Sequence, residues 1–129
     1  MPTAGQQYDE WYGGEGYYWG RTPSKLCDRV LEIIKPTAEF RPKLLDLGCG
    51  EGRNAVYFAT RGFEVIGLDL SPVGLEKMKR YGEEVGIQIQ AIQGDIVNYE
   101  LSDTYDVIFS TGTLQYLPPE IRPKRFQNY

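Results

Sequence analysis

Three aspartates, Asp46, Asp69 and Asp95, recur along the chain at intervals that suit one strand-plus-helix unit each. The first opens a glycine-rich stretch, Asp46-Leu47-Gly48-Cys49-Gly50-Glu51-Gly52. If each aspartate ends a parallel strand, the three carboxylates face one crevice at the carboxyl edge of a sheet. Glycines in such a turn let backbone approach a ligand closely. A glycine turn that feeds a helix usually cradles phosphate, because free N–H groups and the helix dipole favour an anion. Asp46 and Glu51 at this turn oppose that use: they repel a dianion and favour positive charge.

Other chemistries are excluded by what the chain lacks. It has no histidine among its 129 residues, which removes a Ser-His triad, a histidine base and the usual zinc sites. No metal site is expected. The two cysteines, Cys27 and Cys49, fall in a helix pattern and in the glycine turn, and are read as reduced. Fourteen basic residues stand against eighteen acidic ones, a net charge of -4, with no dense Lys/Arg cluster. Nucleic acid is therefore not an expected partner. There is no apolar run near the ~18 residues that cross a bilayer and no secretion signal in the first ten residues, so a cytoplasmic protein without membrane association is expected.

The elements that must position the carboxylates follow from periodicity. The opening stretch interleaves Tyr8, Trp11, Tyr12, Tyr17, Tyr18 and Trp19 with glycines, without helical or alternating period. Thr22-Pro23 reads as a cap with proline at the first helical position, and Leu26, Val30, Ile33 and Ile34 give an amphipathic helix ending at Pro36. Lys43 to Leu47 is a short strand, followed by the glycine turn and a helix through Ala55, Val56, Phe58 and Ala59 that Gly62 closes. Phe63 to Leu68 forms a second strand, Ser71-Pro72 starts a helix closed by Gly86, Ile87 to Ile92 is a third strand and Tyr105 to Phe109 a fourth. Crossover helices demand parallel pairing for at least the first three. The fold class is α/β, a parallel sheet of about four strands with flanking helices. The segment from Pro118 to Tyr129 reads as the beginning of a helix.

The loop Asp46-Leu47-Gly48-Cys49-Gly50-Glu51-Gly52, with Gly67-Leu68-Asp69-Leu70-Ser71, Gly94-Asp95-Ile96 and Tyr105-Asp106-Val107-Ile108-Phe109, resembles the motif series of class I S-adenosylmethionine-dependent methyltransferases. The resemblance runs from about Arg41 to Leu117. The entry Tyr17-Tyr18-Trp19-Gly20 with Thr22-Pro23-Ser24 is similar to small-molecule methyltransferases of the tellurite-resistance and thiopurine type. The resemblance implies a Rossmann-like core over residues 22–129, S-adenosylmethionine as cofactor and S-adenosylhomocysteine as product. For the aromatic segment over residues 1–21 two roles are open: a cofactor lid whose ring faces attract the sulfonium, or packing on the sheet edge. Residue by residue, the resemblance implies that Gly48, Cys49 and Gly50 border the methionine part and Asp46 its ammonium. Asp69 would take the ribose hydroxyls, Leu70 the adenine face, and Gly94, Asp95 and the Ile96 amide the adenine edge. Arg21 is the expected partner of the cofactor's carboxylate, with Arg53 and Asn54 as alternatives, and Trp19 and Ser110 complete the expected contacts.

After the fourth strand, Gln115 and Tyr116 are the polar candidates on the acceptor side. The family often has a histidine or asparagine in this stretch, and no general base is assigned. Asp106, at the start of its strand, is on the wrong side of the sheet for catalysis. Methyl transfer asks mainly for proximity, alignment and a dry pocket, so the lack of histidine is no handicap. The expected function is methyl transfer to a small-molecule acceptor. Two alternatives stay open: a catalytically silent cofactor-binding fragment or subunit, and a nicotinamide-dependent oxidoreductase domain, since Gly48-x-Gly50 and an acid at Asp69 occur there too. The family normally adds three further strands, so the chain is expected to be a truncated domain. The apolar edge of its fourth strand would then favour a homodimer.

Overall fold

Lys43–Leu47 becomes β1 because the apolar run is too short for a stable helix and is closed at once by glycine. In the computed structural model, which describes residues 4–14, 16–17, 20–95 and 104–111, it is the hub of a four-stranded sheet. The other elements are helices α1 (Ala4–Tyr12), α2 (Leu26–Ile33), α3 (Arg53–Thr60) and α4 (Pro72–Glu84), and strands β2 (Glu64–Asp69), β3 (Gln90–Gln93) and β4 (Val107–Ser110). Strand order is β3-β2-β1-β4 and every pairing is parallel. This is the α/β architecture expected from the sequence.

Alternation along the strands divides the core into two faces. On one, Leu44, Val65 and Phe109 meet Cys27 of α2, Ala55, Val56 and Phe58 of α3 and Met78 of α4. Phe58 anchors this side, edge-on to Phe63 at 5.2 Å and to Phe109 at 5.0 Å between ring centroids. On the other, Leu45, Leu47, Ile66 and Leu68 cluster with Ile92 and Ile108. The register aligns Asp46 with Gly67, so Asp69, two residues further along β2, falls on the same face as Asp46.

Several boundaries differ from the sequence reading, each for a local reason. The opening stretch contains a helix, α1, although no apolar period marks it. Its contacts include the buried ring of Tyr12 and Asp9, which accepts hydrogen bonds from Ser71 Oγ and the Val73 amide at the start of α4. Thr22-Pro23 does not cap α2: the turn forms at Ser24, whose carbonyl accepts from the Cys27 amide and whose own amide donates to Asn54 Oδ1 at 2.8 Å. β3 begins at Gln90 rather than Ile87, because the Ile87 amide donates back to the Gly82 carbonyl at the end of α4. β2 starts at Glu64 because the Phe63 amide is taken by the Phe58 carbonyl. β4 runs from Val107 to Ser110, with Asp106 bridging to Lys43 just before it. The expected helix over residues 118–129 lies outside the described residues.

α4 starts as expected, with the Ser71 hydroxyl accepting from the Gly74 amide at 3.0 Å and proline in the first turn. Gly52, at the N-cap of α3, has φ of +92°, and a β-carbon there would collide with Cγ of Met78. Gly52→Ala should therefore combine a left-handed backbone penalty with overpacking, and lower stability by at least about 2 kcal/mol in urea unfolding. An unchanged urea midpoint would contradict this packing.

Candidate cofactor site

Parallel pairing brings the carboxyl ends of β1, β2 and β4 to one edge of the sheet, with Leu47 beside both Leu68 and Ser110. The glycine turn folds back over that edge. The Gly48 and Cys49 amides both donate to the Leu68 carbonyl, at 2.7 and 3.1 Å. The Gly50 amide donates to Asp69 Oδ2 at 2.8 Å, while Asp69 Oδ1 accepts from the Ser71 amide at 2.9 Å. Each carboxylate oxygen can accept more than one hydrogen bond, so Asp69 keeps capacity for further donors. β3 joins the same edge: the Gly94 amide donates to the Asp69 carbonyl at 3.0 Å, and half-buried Asp95 follows directly.

Asp46 is the most constrained group here. It is 2% exposed, and its Oδ2 has no hydrogen-bond partner among the described residues. Burial, reinforced by the nearby charge of Asp69 and offset in part by Arg53, pushes its pKa up to about 8. Asp69 is also raised, chiefly by burial, against the lowering effect of the Ser71, Gly50 and Leu70 amides. Burial likewise pushes the Cys27 thiol up to about 12 and the Cys49 thiol well above its usual range. Neither is an activated nucleophile, and both are free thiols. Ser110 Oγ is a second buried polar atom with no partner among the described residues. A carboxyl group held neutral by burial ionises once a cation is brought against it, so the orphaned Asp46 oxygen fits a positively charged ligand and opposes a phosphate.

The structure thus brings Asp46, Gly48, Cys49, Gly50, Asp69, Leu70, Gly94, Asp95 and Ser110 to one edge of the sheet. It does not bring Arg21 there. The Arg21 guanidinium lies between the rings of Tyr17 and Tyr81, 4.3 and 4.2 Å from their centroids, and pairs with Glu84 at 2.8 Å near the far end of α4. An arginine between two aromatic faces and a carboxylate has its planar charge already matched. Asn54 is buried and tied to structure: its Oδ1 accepts from the Ser24 amide and its Nδ2 donates to Thr111 Oγ1 at 3.3 Å. Arg53 reaches the Thr22 carbonyl at 3.4 Å and remains close enough to Asp46 to lower its pKa. Asp106 accepts from the Lys43 amide at the opposite edge of the sheet, consistent with a structural role. Trp19, Ile96, Gln115 and Tyr116 lie outside the described residues.

Sequence reasoning missed Lys77 and Asp9, which tie the opening segment to this edge. Lys77 Nζ donates to the Gly14 and Gly16 carbonyls at 2.7 and 2.6 Å and pairs with Glu51 at 3.1 Å. The sequence offers only Glu51 itself, an acid between two glycines; its burial, which calls for a cation partner, emerges from the structure.

Among the described residues there is no cluster of His, Cys, Asp and Glu able to hold a metal ion, and no helix long and apolar enough to cross a membrane.

Because the folded-state pKa of Asp46 lies above its ordinary value of 3.8, the fold binds that proton more tightly than the unfolded chain does. Its contribution to stability is complete below the ordinary value and is lost as pH rises towards about 8. Thermal melts of ligand-free protein should show the midpoint falling across that window, and Asp46→Asn should flatten the fall. Identical pH dependence in wild type and variant would contradict the buried neutral carboxyl.

Comparison with known proteins agrees with this geometry. A family model described as a methyltransferase domain matches residues 44–129. The 2-heptyl-1-hydroxyquinolin-4(1H)-one methyltransferase of Mycobacteroides abscessus is 29% identical over 121 residues, covering 84% of this chain and 53% of that protein. The probable S-adenosyl-L-methionine-dependent methyltransferase TehB of Haemophilus influenzae is 31% identical over 97 residues, covering 75% of this chain and 32% of its own length. The crystal structure of TehB from that organism superposes with a TM-score of 0.72 at 25% identity, over 96% of this chain and 40% of TehB. The chain therefore spans about half or less of the length of these relatives. With its four parallel strands, its glycine turn and its paired strand-end carboxylates, the chain belongs to the methyltransferase domain family, in the Rossmann-like, S-adenosylmethionine-dependent class.

Proposed function

We propose that this chain forms the cofactor-binding part of an enzyme that transfers a methyl group from S-adenosylmethionine to a small molecule. The observation that carries the reading is the buried Asp46 oxygen at the end of β1, which has no hydrogen-bond partner among the described residues and heads the glycine turn. Such a site disfavours pyrophosphate and suits a nucleoside that carries positive charge.

When bound, S-adenosylmethionine supplies an electrophilic methyl group on a sulfonium. The chain's own residues bind and orient it. Asp46 accepts from its ammonium end, and Gly48 and Gly50, without side chains, let backbone come close. Asp69, with its carboxylate already steadied by the Gly50 and Ser71 amides, takes the ribose hydroxyls on its remaining lone pairs. Leu70 covers the adenine, and Asp95 accepts from the adenine amine. Gly94, the Ile96 amide, Cys49, Trp19 and the Ser110 hydroxyl complete the proposed contacts, with Arg53 as the remaining cation candidate for the carboxylate. Gln115 and Tyr116 are proposed on the acceptor side. No acid or base is required of this chain: proximity and exclusion of water are its contribution. The hydroxyquinolone named in the Mycobacteroides relative supports a small acceptor.

Two measurements test the reading. Asp69→Asn should weaken S-adenosylhomocysteine binding by roughly 1 to 3 kcal/mol in titration calorimetry, because a charge-assisted acceptor is lost. An unchanged dissociation constant would remove Asp69 from the ribose site. Radiolabelled methyl transfer should be detectable to at least one of a panel of thiols, selenite, tellurite and hydroxyquinolones. Tight cofactor binding with no transfer to any of them would favour a silent binding subunit.

A further inference from the structure

The opening segment meets α4 at successive points along a single helical stripe. Asp9 accepts from Ser71 Oγ and the Val73 amide; the Gly14 and Gly16 carbonyls accept from Lys77; Tyr17 packs on Tyr81 with ring centroids 5.6 Å apart; Arg21 pairs with Glu84. Positions 73, 77, 81 and 84 follow the three- and four-residue spacing that aligns side chains on one helical face. The two segments run in the same direction, so every contact is in order. On its opposite side α4 buries Leu75, Met78 and Gly82. One face of the helix thus serves the core and another carries the segment as a strap.

The strap delivers Tyr12 onto the glycine turn. Tyr12 is 4% exposed. A β-carbon at Gly50 would lie 2.9 Å from its hydroxyl, and one at Gly74 would lie 2.7 Å from its ring. The Tyr12 ring therefore occupies a slot that only glycine at both positions leaves open. Lys77 is where strap, helix and turn are knotted together. Its ammonium has three protons, matched by the Gly14 carbonyl, the Gly16 carbonyl and Glu51 Oε2. The Lys77 and Glu51 side chains are only 14% and 3% exposed, so this pair is little screened by solvent.

From this geometry we infer that Lys77 is a positioning residue that holds the strap, described at residues 4–14, 16–17 and 20–21, against the glycine turn at the cofactor cleft, and so sets how long the cofactor stays bound. The inference rests on the cofactor-binding reading above. Lys77 touches neither cofactor nor acceptor; it acts through the strap carbonyls and Glu51. Opening the strap breaks the two Lys77 hydrogen bonds to the Gly14 and Gly16 carbonyls while the pair with Glu51 stays in place, which slows release more than it slows capture.

The test is stopped-flow measurement of S-adenosylhomocysteine association and dissociation with wild type, Lys77→Met and Lys77→Arg. Methionine keeps most of the stem and removes every donor; arginine keeps the charge. Dissociation should quicken about ten-fold or more in Lys77→Met, with association nearly unchanged, and Lys77→Arg should recover part of the difference. Trypsin cleavage after Arg21 should quicken in the methionine variant and be slowed again by ligand. Wild-type dissociation from Lys77→Met overturns the latch. Equal loss in both variants also overturns it, since a purely structural role would not be rescued by charge. Should Lys77→Met fail to fold, the double variant Tyr17→Leu/Arg21→Gln frees the far end of the strap without touching the buried pair. It should quicken release in the same sense, and unchanged release from it likewise overturns the inference. Failure of wild type to bind S-adenosylhomocysteine at all would instead strike the cofactor reading itself.

Discussion

Asp46 sits where a carboxyl group is hardest to keep: at the end of the central strand, buried, with one oxygen unpartnered among the described residues. Its neighbour across the glycine turn, Asp69, is a second buried acid, so the like charges and the loss of water act together against ionisation. Each feature around it follows from accommodating that group. The turn passes close because Gly48, Gly50 and Gly52 carry no side chains to clash. The Gly50 and Ser71 amides engage both Asp69 oxygens and partly offset the effect of its burial, whereas Asp46 Oδ2 has no such partner among the described residues. A cationic ligand answers the demand and a phosphate aggravates it. That contrast separates this sheet from the dinucleotide-binding sheets it resembles in outline.

The second theme is the division of labour on α4. Its N-terminus caps onto Ser71 and Asp9, its inner face fills the core with Leu75 and Met78, and its outer face fastens the strap. Such a helix joins the core of the sheet to the anchoring of the opening segment. Glu51 completes the link, because a buried acid in the glycine turn finds its counter-ion on the same outer face, in Lys77. The glycine turn and the opening segment thus share one cation.

Much of this was legible in the sequence because it is local. The strand, glycine turn and helix from Lys43 to Thr60, the Ser71-Pro72 helix start and the spacing of Asp46 and Asp69 rest on short-range periodicity and turn chemistry. The structure keeps all of them. What was not legible is what tertiary contacts decide. Helix α1 carries no apolar period in the sequence, and the contacts that dock it, among them the Tyr12 ring and the Asp9 hydrogen bonds at the start of α4, come from residues distant along the chain. Arg21 looked available for a carboxylate because nothing in its own neighbourhood announces Glu84 and Tyr81, which come from a distant helix. Nothing in the sequence around Lys77 sets it apart, since its partners Gly14, Gly16 and Glu51 lie far along the chain. The shortened start of β3 has the same origin: the Ile87 amide is claimed by the end of α4 before the ladder begins.

Ligand selection by the strand-end carboxylates is the claim on which the rest stands, and parallel calorimetric titrations of the wild-type chain with S-adenosylhomocysteine and with NAD at neutral pH address it most directly. Saturable binding of the thioether nucleoside, with no binding of the pyrophosphate-bearing dinucleotide, is the expected result. Saturable binding of NAD together with indifference to S-adenosylhomocysteine would contradict it.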